Sequence, residues 1–184
     1  MEWLSIQDLN AMEKDEFVGL LGGVYEHSAW VAMSAWEQRP FQDSAALAAA
    51  MKGAVETATD AEKLALIRAH PDLAGKLARA GALTESSARE QAGLGLDRLG
   101  DEEFECFTRL NERYRERFGF PFVICVRLTD KAGVLSAFET RLSHDIPTEM
   151  AEALGQIHHI ACLRLGDLLA GRIEGVPAPP RSRS

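Results

Sequence analysis

A histidine followed by a proline is the first feature of the sequence that suggests chemistry. His70 ends a stretch of helical periodicity, and Pro71 disfavours helical geometry in the residue before it, so the helix must stop near His70. A side chain at such a break points into a cleft rather than along a helix face. Imidazole titrates near neutral pH, which suits proton transfer. The alternative is that His70 only caps the helix terminus, where a cation is favoured.

A second group of polar side chains follows within a predicted helix. Ser87 and Glu90 are three positions apart and therefore share a helical face, with Gln91 beside them. Together they offer a hydroxyl, a carboxylate and an amide, which can recognise a ureido group or a polar ring by hydrogen bonds. The alternative is an ordinary capping motif on a solvated helix.

A third feature is the continuous apolar run at residues 118–127, which is rich in aromatic and β-branched side chains. Residues 120–126 alone would be assigned to a buried strand. No partner strand is evident elsewhere, and an unpaired strand would leave its backbone groups unsatisfied. We therefore expect an extended or loosely helical buried segment whose N–H and C=O groups can bind a polar ligand. The alternative is simple core packing.

The cysteines and histidines show no metal-ligand spacing. The five histidines form neither HExxH nor another ligand spacing on one helix. The cysteines, Cys106, Cys125 and Cys162, are odd in number, widely spaced and include no CxxC pair. We therefore expect no metal and three reduced, mostly buried thiols.

Length and composition favour one acidic globular domain. The chain has 184 residues, a hydrophobic content of 46% and a formal net charge of −8. A chain of this size buries roughly 70% of the surface of its unfolded form, so it needs neither disulfides nor a structural metal. A nucleic-acid-binding protein would show a basic face, and none is visible. Binding an acidic metabolite would require positive charge at one place, which a single buried arginine can supply.

No targeting signal is evident near the two ends of the sequence. Residues 1–17 are acidic and lack an apolar run, unlike a signal peptide. No apolar stretch of ~18 residues indicates a membrane span. The last three residues, Ser-Arg-Ser, differ from the Ser-Lys-Leu type of peroxisomal address. We expect a cytoplasmic protein that binds neither membrane nor nucleic acid.

Helical periodicity in the rest of the chain predicts an all-α fold of about eight or nine helices, with no significant β-sheet. We expect residues 1–172 to form a single compact domain and the Pro- and Arg-rich residues 173–184 to form a flexible tail. In the first half of the chain the predicted helices are residues 12–25, a helix capped by Ser28 and stopped by Pro40, a helix from Asp43 or Ser44 to about Thr57, and a helix from the Thr59–Glu62 capping box to near His70. A short helix at 73–80 and a helix capped by Ser86 or Ser87 that runs through Leu94 follow. The last three predicted helices are 101–118, which Gly119 ends, 131–142 and 148–170.

Several motifs recur in a fixed order from about residue 5 to residue 170. They are Gly-x-x-x-Glu-His-Ser-x-Trp at 22–30, His-Pro-Asp-Leu-Ala-Gly-Lys at 70–76, Ser-x-x-Glu-Gln at 87–91, Gly-Leu-Asp-Arg-Leu at 95–99, Leu-Asn at 110–111 with Tyr114, Phe-Gly-Phe-Pro-Phe-Val-Ile at 118–124, and Leu-Arg-Leu at 163–165. In this order and with these gaps, the sequence closely resembles the OHCU decarboxylase family, which acts on 2-oxo-4-hydroxy-4-carboxy-5-ureidoimidazoline (OHCU).

The resemblance implies a carboxy-lyase that converts OHCU to (S)-allantoin in urate degradation, without cofactor or metal. It also implies an all-α fold that is commonly a homodimer. It makes His70 the principal acid–base catalyst and Glu90 its catalytic partner. The residues that it places around the substrate are Pro71, Ser87, Gln91, the backbone of Phe122, Val123, Ile124, Cys125 and Val126, and Arg164.

Two positions depart from the family pattern. Leu94 stands where the family commonly has alanine, which we expect to affect packing only. His158 and His159 stand where lysine or polar residues are common, which we interpret as surface variation. Three other functions remain possible from the residues: a non-catalytic helical interaction module, a metal-dependent hydrolase, and a family member that has drifted to a related ureido acid.

Overall fold

The computed structural model describes residues 4–75 and 80–169. Across this part of the chain the secondary structure is helical and contains no strand, so the all-α prediction is confirmed. The described α-helices are α1 (Ile6–Ala11), α2 (Lys14–Leu21), α3 (Ala29–Trp36), α4 (Ser44–Thr57), α5 (Asp60–Arg68), α6 (Glu85–Gly93), α7 (Asp101–Phe118), α8 (Lys131–Arg141) and α9 (Ile146–Leu168), with a 3-10 helix (Val126–Leu128) before α8.

Local capping explains several helix boundaries that the sequence predicts. Asp43 starts α4 by accepting a hydrogen bond from the N–H of Ala46 at 2.8 Å. Thr59 and Glu62 form the predicted capping box at the start of α5. Gly119 ends α7 in the left-handed conformation, with φ of 75°, which glycine adopts without steric cost.

Other predicted boundaries are wrong or lie outside the described residues. The cap of α6 is Thr84, whose hydroxyl accepts the N–H of Ser87 at 3.3 Å, so neither Ser86 nor Ser87 is the cap. Helix α9 begins at Ile146, before the predicted start, because proline is well tolerated in the first turn. Half of the predicted helix at 73–80, residues 76–79, lies outside the described part, and residues 73–75 and 80 are not helical.

The described residues divide into two compact units. The first comprises residues 4–69 and 157–169, and the second comprises residues 70–75 and 80–156. Helix α9 therefore contributes its first part to the second unit and its remainder to the first unit. The tail expected at residues 173–184 lies outside the described part of the chain.

Small side chains and a pair of aromatic rings build the core of the first unit. Helix α3 packs against both α2 and α4. Ala32 and Ala35 on α3 are fully buried, which allows the neighbouring helices to approach closely. The rings of Phe17 and Phe41 stack with their centres 6.2 Å apart.

An aromatic cluster forms the core of the second unit. Tyr114 of α7 lies edge-on to Phe122, with ring centres 5.2 Å apart, and Phe122 stacks on Phe138 of α8 at 3.7 Å. Phe120 and Phe122 are buried, although residues 121–125 have no regular secondary structure. The predicted buried, irregular segment is therefore confirmed.

His158, in the last part of α9, has two polar neighbours in the first unit. Its Nδ1 lies 3.0 Å from the Tyr25 hydroxyl, and its Nε2 lies 3.5 Å from the Cys162 sulfur. Burial, followed by the charges of Lys52 and His159, lowers the pKa of His158 to about 4, although Glu56 acts in the opposite direction. The ring is therefore neutral at pH 7, and its Nδ1 shares a hydrogen bond with the Tyr25 hydroxyl. Surface variation is not an adequate description of this residue.

We expect His158 to make the protein less stable as the pH falls from about 6.5 to about 4. In that window the unfolded chain binds a proton on His158 that the folded chain does not, so the free energy of unfolding decreases with decreasing pH. His158→Asn keeps a polar side chain beside Tyr25 and removes the titration. Chemical denaturation across this pH range should show a weaker pH dependence for this variant than for the wild-type protein. Equal pH dependence in the variant and the wild-type protein would contradict this assignment.

Candidate functional site

His70 lies just beyond the end of α5, where the sequence predicts a break, and it is only 5% exposed. The following residues, 71–75, form an irregular loop that we call the His70 loop. Ala74 adopts the left-handed region with φ of 50°, which is uncommon for a residue with a side chain. A Cβ on Gly75 would lie 2.9 Å from the Cβ of Asp72, so glycine is needed for this turn.

The side-chain amide of Gln91 on α6 binds the His70 loop. Its Oε1 accepts the N–H of Ala74 at 3.0 Å, and its Nε2 donates to the carbonyl of Asp72 at 3.4 Å. Gln91 directly follows Glu90, so the loop that begins after His70 is joined to the helix that carries Glu90. Ser87 lies one turn earlier on α6 and is also buried.

Two side chains on α7, one turn apart, bind the same loop. Asn111 donates from Nδ2 to the carbonyl of Leu73 at 2.8 Å, and Arg115 donates from Nε to the Asp72 carboxylate at 2.9 Å. Asn111 is 5% exposed, and its Oδ1 has no hydrogen-bond partner within the described part of the chain. Sequence reasoning gave Asn111 no role and missed Arg115, although their spacing of four places both on one face of a helix.

The buried apolar segment lies beside α6. Burial, and next the Glu90 carboxylate, raise the pKa of the Cys125 thiol to about 11. Helix α6 also packs against the 3-10 helix Val126–Leu128, which begins at the last residue of this segment. The thiol is protonated at neutral pH, which gives it no nucleophilic role. The second unit thus brings together the His70 loop, α6 and residues 122–126.

Side chains from α8 and α9 bind the backbone of this segment. Arg141 donates from Nη1 to the carbonyl of Val123 at 2.7 Å, and Gln156 accepts the N–H of Cys125 at 2.9 Å through Oε1. The Cys125 carbonyl accepts the N–H of Leu128 at 3.0 Å. These groups of the predicted backbone site therefore already have partners within the chain. Sequence reasoning missed both Arg141 and Gln156.

Arg164, the remaining predicted substrate residue, lies in the first unit. Its Nη1 is 2.8 Å from Oε2 of Glu26, and the two side chains are 7% and 2% exposed. The same nitrogen lies 3.3 Å from the carbonyl of Gly23. Glu26 and Gly23 both belong to the motif at residues 22–30, so Arg164 is held by a second motif of the sequence.

Two further findings concern only the described residues. No group of three or more His, Cys, Asp or Glu side chains there is arranged to hold a metal ion. None of the helices in residues 4–75 and 80–169 combines the length and the hydropathy of a membrane span.

Comparison with known sequences gives consistent matches over most of the chain. Residues 10–166 match the family model described as OHCU decarboxylase. A protein of Haloferax volcanii named 2-oxo-4-hydroxy-4-carboxy-5-ureidoimidazoline decarboxylase is 44% identical over 167 residues, which cover 91% of this chain and 97% of that protein. A Mus musculus protein of the same name is 38% identical, with coverage of 88% and 90%.

A solved structure has a similar fold. The crystal structure of (S)-allantoin synthase superposes with a TM-score of 0.72 at 35% sequence identity. The match covers 90% of this chain but 54% of that chain, so this chain spans about half the length of the solved protein.

We expect Gln91→Leu to lower the free energy of unfolding by about 1–3 kcal/mol, because it leaves the Ala74 N–H and the Asp72 carbonyl without this partner. The matched control is Arg89→Leu on the exposed face of α6, which removes only a surface pair with Glu85 at 2.7 Å. The control should change stability by no more than about 0.5 kcal/mol. Urea denaturation measures both values, and similar values for the two variants would contradict the role of Gln91 as a support of the loop.

Proposed function

This chain belongs to the OHCU decarboxylase family and is therefore a carboxy-lyase of urate degradation that converts OHCU to allantoin. We propose that His70 is its acid–base catalyst and that Glu90 is the partner of His70. The observation that supports this pairing best is the double hydrogen bond from Gln91 to the His70 loop. It joins the loop to the α6 turn that carries Glu90. The burial of His70 also supports the proposal, since a shielded imidazole can control one proton.

The substrate supplies its own electron sink. OHCU bears a carboxylate on a ring carbon that also carries a hydroxyl group and lies beside a C=N unit of the imidazoline ring. When the bond to the carboxylate breaks and CO₂ leaves, the electron pair moves into this unit, so neither pyridoxal phosphate nor a metal ion is required. The protein must orient the carboxylate, stabilise the developing charge and deliver a proton to one face.

We assign the proton steps to His70. In the proposed mechanism the departure of CO₂ leaves a C=C bond between the hydroxyl-bearing carbon and its neighbour, and the ring nitrogen of the former C=N unit takes a proton from solvent. The imidazole takes or shares the hydroxyl proton, and the hydroxyl carbon becomes a carbonyl as the electron pair of the C=C bond moves to the neighbouring carbon. A proton is then delivered to one face of the neighbouring carbon, which gives (S)-allantoin. Glu90 orients the imidazole and stabilises its protonated form. Help of this kind is typically worth ~10²–10⁴ in rate.

The other proposed contacts orient the substrate. We propose that Pro71, Ser87 and Gln91 line the pocket and that backbone groups of residues 122–126 bind the ring. We also propose that Arg164 contacts the substrate. The contacts of Gln91 with the loop suggest that it acts mainly by shaping the pocket.

We propose in addition that the enzyme is a cytoplasmic homodimer that needs neither cofactor nor metal. The family resemblance supports the dimer, and the electron sink within the substrate supports cofactor-free chemistry.

We expect His70→Asn to lose most turnover, by ~10²–10⁴-fold, while the protein stays folded, because asparagine cannot exchange the proton. Glu90→Gln should also be slow. OHCU is generated in place from urate with urate oxidase and hydroxyisourate hydrolase, and the optical activity of the allantoin is followed. Since OHCU decays spontaneously to racemic product, the enantiomeric excess reports enzymatic turnover.

The matched control for this experiment is His159→Asn, which changes a histidine outside the proposed site and should keep the wild-type rate. Circular dichroism checks that each variant is folded. Near-normal kcat in folded His70→Asn would show that His70 is not the catalyst. A wild-type protein that produces only racemic allantoin would overturn the proposed function itself.

Prolonged treatment with a metal chelator should leave the rate unchanged, because the proposed mechanism uses no metal. The chelator is removed by dialysis before assay, so that the coupling enzymes are not affected. An untreated sample carried through the same dialysis serves as the control. Loss of activity that a divalent metal restores would instead favour a metal-dependent enzyme.

A further inference from the structure

The carboxylate of Glu149 is completely buried in the second unit. Its side chain is 0% exposed, and it accepts hydrogen bonds from Arg141, from the Tyr114 hydroxyl and at 2.8 Å from Nδ1 of His144. Burial, and next the hydrogen bond to Glu149, raise the pKa of Tyr114, so its hydroxyl stays protonated and donates. Helices α7, α8 and α9 are thus joined at one acceptor.

Arg141 uses its donors in two directions. Nε and Nη2 bind Glu149, at 2.8 and 2.5 Å, while Nη1 donates to the Val123 carbonyl at 2.7 Å. Its guanidinium carbon also lies 4.4 Å from the ring centre of Phe122. One buried side chain therefore contacts two consecutive residues of the segment proposed to bind substrate.

A second side chain holds the same segment two residues further along. Gln156 accepts the Cys125 N–H through Oε1, and its own Nε2 is fixed by Glu152 at 2.9 Å. A backbone stretch without a neighbouring strand has no ladder to keep its register. Here Arg141 and Gln156 fix the direction of the backbone at alternate residues.

We propose that Arg141 is a positioning residue for the decarboxylation: it holds residues 122–126 in the conformation in which their backbone groups orient the substrate ring. This inference rests on the proposed function and extends it to a residue that does not touch substrate. Buried ion pairs add little to stability compared with a well-packed apolar pair. The planar fork of arginine can bind a carboxylate and a backbone carbonyl at once, which lysine cannot do in the same geometry.

The test compares activity per folded molecule with stability. The double variant Arg141→Met with Glu149→Gln removes both charges, so no charge is left buried alone, and it also removes the donor to the Val123 carbonyl. The single variant Arg141→Lys keeps the charge opposite Glu149 and loses the fork. Both proteins should fold, and both should lose ~10²-fold in kcat/KM, because a small displacement of the binding groups misaligns the substrate.

The matched control is Arg117→Met. Arg117 is an exposed arginine on α7 that also donates to a backbone carbonyl, that of His144 at 2.8 Å, but not to the segment. We expect wild-type kcat/KM in this variant. Amide hydrogen exchange adds an independent readout: residues 122–126 should exchange faster in both Arg141 variants and at the wild-type rate in the control.

The outcomes separate the two proposals. Low kcat/KM per folded molecule, together with faster exchange confined to the segment, supports the positioning role. Wild-type kcat/KM per folded molecule in Arg141→Lys overturns it, even if stability falls, because Arg141 would then serve the fold alone. Racemic product from the wild-type protein would instead overturn the proposed function, and this inference with it.

Discussion

The amide of Gln91 hydrogen-bonds on both sides of Leu73, and the carbonyl of Leu73 itself is bound by Asn111. The loop needs these hydrogen bonds because Pro71 ends the helix while the chain stays largely buried. Its backbone polar groups therefore have neither helical partners nor abundant water. Side chains from two helices supply those partners. The conformation of the loop, and with it the position of the His70 side chain directly before it, therefore depends on these neutral hydrogen bonds together with the ion pair between Arg115 and Asp72.

The buried segment between α7 and α8 meets the same constraint by a different chemical solution. Its carbonyl partner is a charged guanidinium, which in turn requires the enclosed carboxylate of Glu149. Removing only one member of such a pair leaves an uncompensated buried charge and costs about 3–5 kcal/mol. The two arrangements therefore respond differently to mutation. An amide side chain that holds the loop can be substituted without leaving a buried charge, whereas the members of the charged network that holds the segment depend on each other.

The sequence predicts the helical framework well because caps and periodicity are local signals. The sequence correctly predicts the N-caps Asp43 and Thr59 and the left-handed C-cap Gly119. The sequence predicts the wrong cap for α6 because three hydroxyl residues, Thr84, Ser86 and Ser87, stand close together, and only the structure shows that Thr84 accepts the N–H of Ser87. Boundaries of this kind depend on small differences between equivalent side chains.

For the candidate site, sequence motifs found the loop, α6 and the apolar segment, which the structure brings together in one unit. They did not find Arg141 or Gln156, because these side chains bind backbone groups far along the chain. Nothing in the spacing of Arg141 distinguishes it from an ordinary surface arginine in the last turn of a helix. Its burial results from the packing of three helices around Glu149, which periodicity alone does not define.

The division of α9 between the two units has a consequence for how the protein is made. His158 and Arg164 bind Tyr25 and Glu26, partners that lie 133 and 138 residues earlier in the chain. During synthesis, residues 70–156 emerge before His158 and Arg164 do, so the second unit can assemble while the first still lacks the last part of α9. Until the end of α9 leaves the ribosome, the helices made first keep part of their apolar surface exposed, and contacts at such sequence separation form slowly. The nascent chain is therefore most open to chaperones, and to aggregation, at its earliest-made helices.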